Sequence, residues 1–238
     1  MNRQAARALI VGVGGLGCPA ALVLAHAGVG TIGLADDDLV DETNLHRQIL
    51  FDAADVGKPK LDAAARSLAK IREALAVRLH PTRLLPHNAV ELISQYDIVL
   101  EGSDNFATKF LTADACAIAR VPVVHAAAVR WQGTVLAVRA RPCYRCLFED
   151  LPREDAPNCA EAGVIGPMVG VVAAIQADLA LAMIDGKELS GELVTFDGKT
   201  SRMRRRTIAA RRDCPLCGSE ARIRSIERDR YVDAAASC

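Results

Sequence analysis

The sequence predicts a doubly wound α/β fold, and three observations predict it. Hydrophobic residues fill 51% of the 238 positions while aromatics fill only 4%, the balance of a protein built on helices and buried parallel strands rather than on aromatic-rich sandwich strands. Apolar runs of strand length alternate with stretches of helical periodicity through residues 1–128. A glycine-rich turn joins the first strand to the first helix, as in a βαβ unit. The length is enough for a sizeable core, and with this composition it excludes disordered, collagen-like and mini-protein classes.

In chain order, residues 8–13 read as a buried strand, GVGGLG as a tight turn, residues 16–27 as a helix and residues 31–35 as a second strand ending in Asp36, Asp37 and Asp38. Leu61, Ala64, Ala65, Leu68, Ile71 and Leu75 recur at helical spacing within residues 58–75, and short apolar runs at 98–100 and 121–124 read as further strands. Residues 133–139 and 192–196 look like strands on either side of a small-residue helix at 166–184. The expected sheet is Rossmann-like, parallel in the N-terminal half and mixed in the C-terminal half. No internal repeat or low-complexity segment breaks the chain, so residues 1–238 are expected to form one domain.

Twenty-nine basic residues balance twenty-nine acidic ones, which argues against a protein made to hold nucleic acid or an anionic membrane. The balance is uneven: between Arg202 and Arg230 ten arginines meet four acidic residues. A solvated, strand-like stretch and a docking surface for an acidic partner both fit that excess. Residues 8–35 carry no formal charge and follow Arg3 and Arg7 as a signal segment would, but seven glycines and Pro19 interrupt them. A cytoplasmic protein is therefore expected.

Four of the eight cysteines form two Cys-x-x-Cys pairs, Cys143 with Cys146 and Cys214 with Cys217, the spacing of a tetrahedral Zn²⁺ site. Four sulfur ligands leave no open position for water, so the predicted zinc is structural. Cys18 and Cys116 lie in apolar helical stretches and read as packing residues, and Cys238 ends the chain.

Gly12, Gly14 and Gly17 make GxGxxG between strand and helix, and the acidic group Asp36 to Asp38 follows about 20 residues later, where a ribose ligand is expected. Small residues let backbone approach phosphate, and the helix N-terminus adds partial positive charge. That much does not choose NAD over ATP. NLHRQ supplies Asn44, Arg47 and Gln48 and VGKPK supplies Lys60, placing two fixed cations, Arg47 and Lys60, along the same crevice; a triphosphate losing pyrophosphate needs them, and hydride transfer needs few. Asp104 and Asn105 follow the strand at 98–100, at the carboxyl end where ligands of open α/β sheets lie. A carboxylate there can hold Mg²⁺, and Asn105 can cap the next helix.

GVGGLG, the acidic group, NLHRQ, VGKPK, SDN, CYRC, AGVIGP and CPLCG, in this order over residues 8 to about 218, resemble the ThiF/MoeB/HesA family. Its members are relatives of ubiquitin-activating enzymes that adenylylate the C-terminal glycine of ubiquitin-like sulfur-carrier proteins. The resemblance implies a nucleotide-binding half at about 1–128, a carrier-binding and zinc half at about 129–218 and a short tail at 219–238. It implies ATP on Gly12, Gly14, Gly15 and Gly17, ribose on Asp36 with Asp38 nearby, and phosphates on Asn44, Arg47, Gln48 and Lys60. Asp104, beside Asn105, would hold Mg²⁺, and the four paired cysteines Zn²⁺. Arg47, Lys60 and Asp104 would be the catalytic groups.

Cys159 matches a position where some members carry a cysteine that becomes linked to the carrier, although its polar loop suits a nonreactive thiol equally well. The resemblance further implies a homodimer, a carrier ending in Gly-Gly whose tail passes over residues 162–170, and a separate sulfur donor, because residues 219–238 carry no rhodanese-like domain. Members also place an arginine ahead of the first strand that reaches the partner's ATP site; it has no clear counterpart here, so either Arg3 or Arg7 substitutes for it or the contribution is missing. Two other readings stay open on the residues alone: a noncatalytic relative that binds nucleotide and carrier, and an NAD-dependent oxidoreductase with a structural zinc.

Overall fold

A computed structural model describes residues 2–151 and 163–235. One eight-stranded sheet runs through both halves in the order β3-β2-β1-β4-β5-β6-β7-β8. The N-terminal strands are β1 (Arg7–Val11), β2 (Thr31–Ala35), β3 (Ala76–His80) and β4 (Ile98–Glu101), which with β5 (Val123–Val129) are mutually parallel. Strands β6 (Gln132–Val138), β7 (Glu192–Asp197) and β8 (Arg202–Thr207) continue it antiparallel. The change of sense follows from the connections. Parallel pairs need helical crossovers, whereas the short turns between β5 and β6 and between β7 and β8 permit only hairpins; β6 and β7 pair antiparallel across the long connection that contains the helix Gly166–Ile184.

Helices cover both faces because the central strands are apolar on both. In β1, Ala8 and Ile10 face one core with α1 (Gly17–His26), α2 (Lys60–Ala69) and α6 (Gly166–Ile184). Leu9 and Val11 face the other with α3 (Ala89–Ile93), α4 (Phe106–Ala119) and the segment of α5 (Tyr144–Leu147). This period-2 division makes buried parallel strands read as continuous apolar runs. Helix α6 is long and apolar enough to cross a membrane by composition, yet 61% of that stretch is buried, packed on α1, β5 and β6. Cys18 and Cys116 are buried as packing residues; burial pushes the Cys18 thiol up to about 12 and the Cys116 thiol up as well.

One strand departs from the sequence reading. Strand β3 was not anticipated: Val77 and Leu79 alternate with Arg78 and His80, but the run is five residues long and its side chains are exposed or half-buried. The basic stretch begins with β8, an edge strand exposed at every position, in keeping with a solvated, strand-like stretch. The tail forms no helix over residues 221–227. There the backbone N–H groups of Arg222 and Ile223 donate to the Pro215 carbonyl, and Ile223 and Tyr231 enter the core. Tyr231 donates its hydroxyl to Asp114 Oδ2 at 2.6 Å, and Arg145 grips the same carboxylate through two bonds of 2.8 and 2.9 Å. These buried polar groups tie the tail to α4.

Candidate functional site

At the carboxyl ends of the parallel strands the chain leaves β1 towards β2 on one side and β4 on the other, the switch point where open α/β sheets hold ligands. A cleft of about 350 Å³ opens there. Gly12, at φ +85°, turns the chain out of β1, and a Cβ on Gly17 would collide with the Gly12 carbonyl oxygen. Gly12, Gly14 and Gly15 line the cleft; Gly17 lies beneath and lets α1 start close to the strand. No side chain caps the N-terminus of α1; the Cys18 N–H is spent on the Gly14 carbonyl at 3.0 Å and Pro19 has none, so what the helix turns to an anion is chiefly its positive end.

Asp36, at the end of β2, lines the opposite wall. Its oxygens accept the backbone N–H groups of Val13 at 2.7 Å and Asp38 at 2.9 Å, and each retains a lone pair for a ribose hydroxyl. Burial pushes its carboxyl up against the pull of Lys60 and those N–H groups. Lys60 Nζ is buried 2.7 Å from Asp38 Oδ2 and 3.9 Å from Asp36 Oδ1. Arg47 crosses over Gly15 and donates to Asn44 Oδ1, so Asn44 orients Arg47 rather than lining the cleft itself. Gln48 is buried in the wall with its Oε1 unpartnered, as a ligand-facing amide would be. Asp104 opens into the cleft with no side-chain partner among the described residues, whereas Asn105 spends its Oδ1 capping α4 at Thr108 N, 2.8 Å away.

The loop carrying Asp104 rests on a buried charge cluster. Glu101 Oε1 accepts the backbone N–H and hydroxyl of Ser103 at 2.7 and 2.5 Å, and Oε2 accepts Lys109 Nζ at 2.8 Å. Lys109 also donates to the Ala126 carbonyl, and Gln176 from α6 joins the Glu101 and Val124 carbonyls, bridging β4 and β5 below the cleft.

On the α4 face, Cys143, Cys146, Cys214 and Cys217 bring their sulfurs within 4.8 Å of one another, with pairs at 3.4 to 4.0 Å. Four Zn–S bonds of about 2.3 Å in a tetrahedron place sulfurs about 3.8 Å apart, so this donor set fits zinc. Hydrogen bonds from Cys143 and Cys146 draw the Cys217 thiol down to about 5, while Cys143 is pushed up.

The sequence matches the ThiF family over residues 3–216. The chain belongs to the ThiF family. It is 38% identical to the sulfur carrier protein adenylyltransferase of Thermus thermophilus over 243 residues, covering 98% of this chain and 88% of that protein. It is 42% identical over 223 residues to the adenylyltransferase and sulfurtransferase MOCS3 of Culex quinquefasciatus, covering 91% of this chain and 51% of that one. The chain thus spans about half the length of the MOCS3 relatives it matches. Among solved structures, E. coli MccB superimposes with a TM-score of 0.81 at 23% identity, over 92% of this chain and 66% of MccB, which shows a shared fold.

In this ThiF-family chain the cleft has one charged lining residue that the motifs do not include. Arg83, in the loop after β3, lines the cleft with its guanidinium 2.9 Å from Asp37 Oδ1 and 3.5 Å from Asp38 Oδ1. No motif surrounds it, and only the pairing of β3 beside β2 brings it there. The two N-terminal arginines are engaged within the chain: Arg3 with Asp185 at 2.6 Å and Arg7 with Asp97 at 2.8 Å. Cys159 and Cys238 lie outside the described residues.

Proposed function

We propose that this chain uses Mg·ATP to adenylylate the C-terminal glycine of a ubiquitin-like sulfur carrier in the cytoplasm, acting as a homodimer with a separate sulfur donor. The observation that carries this reading is the convergence of Gly14, Asp36, Arg47, Lys60 and Asp104 on one cleft at the switch point, in a chain whose relatives are named adenylyltransferases. A carrier carboxylate oxygen attacks the α-phosphorus, the bond from that phosphorus to the bridging oxygen breaks, and pyrophosphate leaves with the electron pair. No proton moves and no side-chain nucleophile is required, so the protein contributes position and charge.

In this reading the loop from Gly12 to Gly17 and the N-terminus of α1 cradle phosphate, and Asp36 orients the ribose. Arg47, held by Asn44, and Lys60 meet the charge that grows on the leaving oxygens. Asp104 would hold Mg²⁺, which neutralises phosphate charge when bound. The four cysteines would hold a structural Zn²⁺ that joins the segment after β6 to the segment after β8. The test is ATP–pyrophosphate exchange with Gly-Gly-ended carriers beside the same carriers lacking the last glycine. Exchange should require that glycine; exchange without it overturns the terminal glycine as the acceptor, and none with any carrier despite saturable Mg·ATP binding overturns the reading in favour of a noncatalytic relative. Tighter binding of NADH than of Mg·ATP would favour an oxidoreductase.

A further inference from the structure

A second cavity, of about 140 Å³, lies on the α4 face of the sheet and meets the nucleotide cleft at Asp104, Asn105 and Ala127. Phe106, Leu136, Tyr144 and Phe148 make its wall apolar, and Phe148 is 41% exposed. One polar atom on the wall stands out. His125 is buried, its Nδ1 lies 3.4 Å from Glu101 Oε2, and its Nε2 has no partner. The Glu101 carboxylate places the ring proton on Nδ1, and burial lowers the His125 pKa, so Nε2 presents an acceptor lone pair. A buried acceptor without a partner carries a desolvation penalty that a ligand donating to it recovers.

We propose that this cavity receives one side chain of the carrier's C-terminal tail, an apolar group bearing a single hydroxyl that donates to His125 Nε2. The proposal rests on the adenylylation reading and adds selectivity to it, since terminal glycines offer no side chain to recognise. Continuity with the cleft favours the tail as occupant, because the carboxylate it delivers must reach the α-phosphate beside Asp104. Size favours it too: the volume is well below the ~300 Å³ at which ordinary small-molecule sites begin, and suits one side chain.

The experiment compares ATP–pyrophosphate exchange for carriers that differ at one tail position before Gly-Gly, scanned position by position with the pairs Thr/Val and Tyr/Phe. At one position the hydroxyl-bearing residue should raise kcat/KM about three- to tenfold over its twin, the worth of one hydrogen bond. That preference should vanish in His125→Phe. Thr134→Leu, which fills the cavity from β6 and leaves the Glu101 contact in place, should raise KM for those carriers without changing KM for ATP or for a carrier with glycine at that position. Should His125→Phe fail to fold, Thr134→Leu decides alone. Exchange indifferent to every tail side chain, or a preference that survives both substitutions, overturns the cavity's role and leaves adenylylation standing. No exchange with any carrier overturns both.

Discussion

Glu101→Gln tests how the cleft is supported. Burial alone would push the Glu101 carboxyl up, but the Lys109 ammonium and His125 outweigh it and hold it down to about 2, against an ordinary value of 4.5. Holding the carboxyl down from 4.5 to about 2 corresponds to about 3 kcal/mol of folding stability. Because the folded value is the lower one, this contribution is complete above about pH 4.5 and is lost as the pH falls towards 2. The glutamine keeps the shape but leaves Lys109 Nζ charged and buried with the Ala126 carbonyl at 2.7 Å as its remaining strong acceptor. Urea unfolding at pH 7 should show a loss of about 3–5 kcal/mol, the usual cost of stranding one partner of a buried pair. The gap between wild type and variant should shrink steadily on acidification below about pH 4.5. Adding Lys109→Met should restore much of the loss, since no unpaired charge remains. A deficit under about 1 kcal/mol at pH 7, or a gap that stays constant into acid, would refute the assigned electrostatics.

Other consequences are sharp enough to measure. Asp104→Ala should lower ATP–pyrophosphate exchange at least about 100-fold while leaving the unfolding midpoint nearly unchanged, because the carboxylate has no partner among the described residues to lose; unchanged exchange would remove it from the metal role. Lys60→Met should weaken ATP binding in calorimetry and also destabilise the fold, since it leaves buried Asp36 without its nearest cation. Elemental analysis should find one zinc per chain, with Cys214→Ser abolishing it and lowering Tm; retention of zinc in that variant would separate the two cysteine pairs. Tyr231→Phe should cost about 1 kcal/mol in urea unfolding by deleting the bond to Asp114, and a neutral result would mean the tail is not anchored there.

Features encoded in short stretches were legible in the sequence alone. Apolar runs and helical spacing marked β1, α1, β2, α2, β4 to β7 and α6, because burial leaves a continuous apolar run in the central strands and a helical period in α2. The glycine turn, the acidic group after β2 and the two cysteine pairs were readable because backbone approach to phosphate and metal geometry each demand particular residues at close spacing. The edge strands β3 and β8 were invisible or ambiguous, since β3 is a short run with its side chains exposed or half-buried and β8, exposed along its length, carries no hydrophobic period. Arg83 enters the cleft only because β3 pairs with β2. The buried sets Glu101–Lys109–His125 and Asp114–Arg145–Tyr231 draw members from 8 to 117 positions apart. A charged or polar residue in a sequence reads as surface until its partner is known, and partners at such separations are chosen by packing, which the tertiary structure alone decides.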